Sequence, residues 1–74
     1  MNHSKIHVQY RDGSKAAGVR VVLSFGCLGV SKPAFTDHYG VAIVKHAATG
    51  QANVIVKGST RGTVRAPGET VVFV

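Results

Sequence analysis

Apolar and polar positions alternate with a period of two along most of this chain, and each alternating run stops at a turn signal. Ile6, Val8 and Tyr10 alternate with His7, Gln9 and Arg11, and the run ends at Asp12-Gly13. Glycine takes a positive φ there without steric cost, so the pair reads as a reversal. Val19, Val21, Leu23 and Phe25 form the next inward set, with Arg20, Val22 and Ser24 on the opposite face. Gly26-Cys27-Leu28-Gly29 reads as a loop, and Pro33 confines the following segment, Val30 to Thr36, to a sheet edge or a bulge. Residues 41 to 46, 51 to 57 and 60 to 65 are three further strands, divided by Thr49-Gly50 and by Lys57-Gly58-Ser59. Ala66-Pro67-Gly68-Glu69 is the last turn before a closing strand from Thr70 to Val74. No stretch of a dozen residues keeps a helical period, and the nine glycines fall at intervals. Short strands at spacings of about ten residues predict two packed antiparallel sheets.

Length limits what such a fold can hold. The 74 residues make one domain, residues 1–74, whose single core supplies only a few kcal/mol of net stability. A large pocket would weaken it. Lone Cys27 rules out a disulfide within the chain, and the first residues show no apolar stretch of a secretory signal. The chain as it stands therefore reads as cytoplasmic, or as extracellular or cell-envelope if it is excised from a larger secreted protein. No apolar run approaches the roughly 20 residues of a membrane-spanning helix, so no membrane partner is expected. Nine Lys and Arg against three acids give a net charge of +6, spread through the chain and not bunched. That balance suits a small soluble domain that repels its own copies as well as it suits a polyanion partner.

Candidate chemistry is sparse. Zinc needs three or four ligands converging within about 2.0–2.3 Å of one ion. His3 and His7, four residues apart on a strand, share a face but stand about 13 Å apart along it. His38 falls in a turn and His46 at a strand end, where both are expected to be partly solvated. Asp12, Asp37 and Glu69 are the full supply of carboxylates, too few for paired acid–base work, and Asp37 is expected to bond the backbone of its own turn. Gly26 and Gly29 precede no helix whose N-terminus would hold a phosphate. Cys27 lacks a neighbouring base and reads as a buried or half-buried thiol. No catalytic residue, metal ligand or cofactor is assigned, and an enzyme is not expected.

The order of motifs resembles a known family across nearly the whole chain. Asp12-Gly13 is followed by Gly18-Val19-Arg20-Val21-Val22-Leu23, then Thr36-Asp37-His38-Tyr39-Gly40, then Gly50-Gln51-Ala52-Asn53-Val54-Ile55-Val56, then Pro67-Gly68-Glu69 before a final strand. This is similar to the carboxypeptidase-regulatory-like domains, the transthyretin-like or prealbumin-like sandwiches. Ala52 stands where the family usually carries Tyr. The resemblance implies an Ig-like or transthyretin-like antiparallel sandwich of six or seven strands that serves as a non-catalytic module beside another protein.

Two surfaces then stand out as binding candidates. In the family register Ala42, Val44, Ala52, Val54 and Val56 point inward, which leaves Val22, Val41, Ile43 and Ile55 outside. Together these β-branched residues would form a contiguous interface for a second copy or a protein partner. Lys32, Phe35, His38 and Tyr39 form a candidate basic-aromatic surface, which keeps a small nucleic-acid-binding β-protein as the alternative function. Phe25 and Phe73 lie in apolar runs and are expected in the core.

Overall fold

The alternation becomes a two-sheet sandwich whose long strands bury one face over all or part of their length. The computed structural model describes residues 2–74. Its strands are β1 (Asn2–Gln9), β2 (Arg20–Ser24), β3 (Ala34–Phe35), β4 (Val41–His46), β5 (Gly50–Val56), β6 (Ser59–Ala66) and β7 (Glu69–Phe73), with one 3-10 turn at Gly26–Leu28. A three-stranded sheet has the order β4-β1-β7, and a four-stranded sheet the order β3-β2-β5-β6. Neighbours pair antiparallel except β1 and β7, which run parallel. The parallel pair joins the first and last of these strands, so the three-stranded sheet depends on contacts between residues far apart in sequence.

Ile6 and Val8 of β1, Val21 and Leu23 of β2, Ala42 and Val44 of β4, Ala52, Val54 and Val56 of β5, and Val72 of β7 fill the space between the sheets. All are small or β-branched apart from Leu23, which suits a narrow gap between two pleated surfaces. Phe25 closes one end of this core. Phe73 does not join it. Thr70, Val72 and Val74 take the inner phase of β7, so Phe73 projects outward beside Gln9 and is 51% exposed. In a run that is apolar on both phases, the period carries no information about which side is in. Tyr10, the last alternating residue of the first run, is likewise outside the core and lies beyond the end of β1.

The turns are held by the residues that announced them. Asp37 Oδ1 accepts the backbone N–H of Tyr39 at 2.9 Å and of Val41 at 3.1 Å, while the Gly40 N–H donates to the Asp37 carbonyl at 2.9 Å. Gly40 has φ +75°, and a Cβ there would stand 2.7 Å from the Val8 carbonyl oxygen, so only glycine fits. Buried Thr36 accepts the Val19 N–H through its hydroxyl and donates to the Ala16 carbonyl, fastening the entry to β4 onto the entry to β2. The Thr36-Asp37-x-x-Gly40 motif is therefore a structural clasp. Between β5 and β6, Lys57 (φ 53°) and Gly58 (φ 82°) make a two-residue hairpin turn with both residues left-handed, matching the twist of the strands. Further along that hairpin the register slips between Val54 and Ile55, which leaves Arg61 as the extra residue of a bulge.

Candidate functional site

Strand order separates the four residues expected to share an interface. Val41 and Ile43 lie on β4 and face outward from the three-stranded sheet, whereas Val22 and Ile55 pair across β2 and β5 on the outside of the four-stranded sheet. The outer faces of a two-layer sandwich look in opposite directions, so Val22, Val41, Ile43 and Ile55 do not form one patch. The inward and outward phases are as expected; which sheet each strand joins is what divides the set. Val22 is also only 6% exposed although it stands apart from the core cluster, which leaves little of it to offer a partner.

A different apolar set assembles on the three-stranded sheet. The register places Val41, His7 and Val71 in one row, Ile43, Lys5 and Glu69 in the next, and Phe73 beside Gln9. Ile43, Val71 and Phe73 are each about half exposed, between 48% and 51%. The phase of Val71 and Phe73 is not legible in the sequence because the run Val71-Val72-Phe73-Val74 is apolar on both faces. His7 Nε2 is hydrogen-bonded to Glu69 Oε2 across the central and edge strands. The face is thus an apolar rim on both edge strands around a polar centre.

The four members of the expected basic-aromatic surface belong to separate features. Phe35 is exposed on β3 with Arg20 as its cross-strand partner. His38 and Tyr39 stack on each other in the turn that leads to β4, with ring centroids 4.0 Å apart. Lys32 lines a groove of about 500 Å³ at the open corner between the β3 edge and β4, together with Leu28, Val30, Ile43, Lys45 and His46. Of the four, only His38 and Tyr39 are seen in direct contact.

His46 is not solvated, contrary to its expected place at a strand end. It is 4% exposed, and Ser4 beside it is 1% exposed. Pairing of Asn2 with His46 and of Ser4 with Val44 brings together two residues that are 42 apart in the chain. The Ala48 carbonyl lies 2.7 Å from His46 Nδ1 and can only accept, so Nδ1 carries the proton. In the neutral ring Nε2 is then the acceptor for the Ser4 hydroxyl at 2.7 Å, and Ser4 Oγ in turn accepts the Gly68 N–H at 3.2 Å. This relay ties the β6–β7 turn, β1, β4 and the residues after β4 to one another. A serine beside an oriented histidine is also the pairing that activates a nucleophile. Here the hydroxyl is enclosed and engaged in two hydrogen bonds, which makes the pair a polar fastening of the core. The clue in the sequence was parity: Ser4 shares the inward phase of Ile6 and Val8, and His46 that of Ala42 and Val44.

The remaining chemistry-bearing groups are dispersed. His3 and His7 stand on the outer face of the three-stranded sheet, and among the described residues no three His, Cys, Asp or Glu side chains lie close enough to hold a metal ion. Cys27 is exposed in the 3-10 turn, where a buried or half-buried thiol was expected; the turn projects from the sheet ends and turns no side chain toward the core. Hydrogen bonds from the Ser14 side chain and then its backbone hold the Asp12 carboxyl below the usual aspartate range. The Asp37 carboxyl is also lowered, first by the Val41 N–H, then by the Tyr39 N–H and by His38, against an opposing effect of partial desolvation. No helix among the described residues is long and apolar enough to cross a membrane. No protein-family model, curated protein or solved structure matches the chain.

Proposed function

We propose that this chain is a non-catalytic interaction module of the carboxypeptidase-regulatory-like and transthyretin-like kind, which associates with a second copy or with a larger protein through its three-stranded sheet. The observation that carries the reading is the apolar rim of Val41, Ile43, Val71 and Phe73 on that sheet's outer face. Three strands about 4.8 Å apart and about 20 Å long present about 300 Å². A standard stable interface takes about 800 Å² from each partner. The face alone therefore supports a weak complex, and a stable one must also engage an edge. Both β4 and β7 are edge strands of this sheet, and β7, free of proline and apolar from Val71 to Phe73, suits addition of a strand from a partner.

The test is sedimentation velocity across a range of concentrations on the wild-type chain and on Ile43→Lys/Phe73→Lys. Both side chains are exposed, so the fold should survive, as circular dichroism would verify. The expected result is a concentration-dependent shift to larger species in the wild type and its loss in the double variant. A wild type that stays monomeric and captures no partner through this face, or a double variant that assembles unchanged, removes the proposal.

A further inference from the structure

Charge that is spread evenly along the chain is sorted by the fold. Strands β2, β3, β5 and β6 contain Arg20, Arg61 and Arg65 and no acidic residue. The three acids lie elsewhere, Asp12 in the turn after β1, Asp37 in the turn before β4, and Glu69 on the other sheet. Arg20 precedes buried Val21, and Arg65 stands between buried Val64 and Ala66, so both project from the outer face of the four-stranded sheet. Arg61 is the exposed bulge residue of the same sheet. Lys57 joins them at the hairpin end, its N–H donating to the Arg20 carbonyl at 3.2 Å. Among the described residues none of these cations forms an ion pair.

We infer that this face binds single-stranded nucleic acid. Guanidinium groups held on a rigid sheet without competing carboxylates are suited to phosphate, which they engage through paired N–H donors. From the Lys57–Arg20 end to Arg65, which pairs with Gln51, the track covers six residues of β5, or about 20 Å, enough for about four nucleotides. Phe35, 63% exposed and directly across from Arg20, offers a ring on which one base stacks. Exposed Gln51 and Asn53 on the central strand β5 place amide donors and acceptors beneath the bases. A duplex would leave Phe35 without an unstacked base, and the sheet has no helix to enter a major groove. The site lies on the opposite side of the sandwich from the proposed association face, so the two readings stand or fall separately.

The measurement is fluorescence anisotropy of a labelled oligothymidylate of about 12 nucleotides, titrated with the full chain from about 50 to about 300 mM salt. Saturable binding is expected, with log K falling against log salt at about −0.7 per phosphate neutralised, or about −2 to −3 for three or four cations. Arg20→Gln/Arg65→Gln should reduce that slope by about 1.4. Phe35→Ala should weaken binding about tenfold at every salt concentration while leaving the slope unchanged. Lys5→Gln/Lys45→Gln, on the other sheet, should have no effect. Absence of saturable binding at the lowest salt overturns the inference. So does an equal loss from the Lys5/Lys45 pair, which would mean non-specific charge attraction. Binding indifferent to Phe35→Ala and matched by heparin would assign the face to an acidic polysaccharide instead.

Discussion

Replacing Ser4 by Ala isolates the buried relay, because it deletes one oxygen and little volume. The lost hydroxyl is both the donor to His46 Nε2 and the acceptor of the Gly68 N–H. An orphaned buried polar group costs about 1–3 kcal/mol. His46 is 4% exposed and bears that penalty in full, whereas Gly68 is only part-buried and recovers some of it from water. The sum is about 2 kcal/mol. A chain of 74 residues has a total stability of about 4–11 kcal/mol at the usual value per residue, so the loss is a substantial fraction of it. In a domain of this size, 2 kcal/mol lowers Tm by about 8–16 °C. Urea unfolding followed by circular dichroism reads the change directly. His46→Phe keeps a ring against Phe25, whose centroid lies 5.2 Å from that of His46, but orphans the Ser4 hydroxyl and the Ala48 carbonyl. The double variant loses the bond only once, so its destabilisation should fall short of the sum of the single effects by about 1 kcal/mol or more. A Ser4→Ala cost below about 0.5 kcal/mol, with single effects that simply add, would refute the relay as a source of stability.

Two further outcomes follow from the register and the turn. Leu23→Ala, at a fully buried core position, should cost about 2–5 kcal/mol, while Val22→Ala, outside the core cluster, should cost well under half as much by the same urea titration. Equal costs would mean that the alternation has been assigned to the wrong faces. Asp37 has a carboxyl pKa lowered in the folded state, so it contributes stability above the unfolded value of about 3.9 that is lost as pH falls through the folded one. Asp37→Asn, which keeps an acceptor for Val41 and Tyr39 but cannot ionise, should therefore lower Tm near neutrality, flatten the Tm profile below about pH 4 and converge with the wild type in acid; an unchanged acid profile would contradict the assignment.

Local pattern and turn chemistry were legible wherever one strand face is apolar and the other polar. Val19, Val21, Leu23 and Phe25 were assigned inward by parity, and Ala42 and Val44 by the register of the resembled family, and all six are buried. Asp37 and Gly40 were readable as a turn because a short carboxylate and a residue without Cβ are what a tight reversal requires. Parity is undefined at Phe73, where adjacent residues are all apolar. Cys27 was not legible either, because burial in a loop depends on where the loop lies and not on its composition.

Pairing partners were out of reach for a different reason. Parity states which side of a strand is dry, yet it is silent about which strands lie side by side, since backbone hydrogen bonding is the same for every strand. The order β4-β1-β7 and β3-β2-β5-β6 separated Val41 and Ile43 from Val22 and Ile55, and it brought Val71 and Phe73 onto the same face as Ile43. The same order closed the Ser4–His46 relay and gathered Arg20, Arg61 and Arg65 on an acid-free surface. The alternation along this chain determined its inside and outside, strand by strand. Its surfaces arise only when residues far apart in the chain become neighbours, and that was decided by the tertiary packing of strands whose individual patterns are nearly interchangeable.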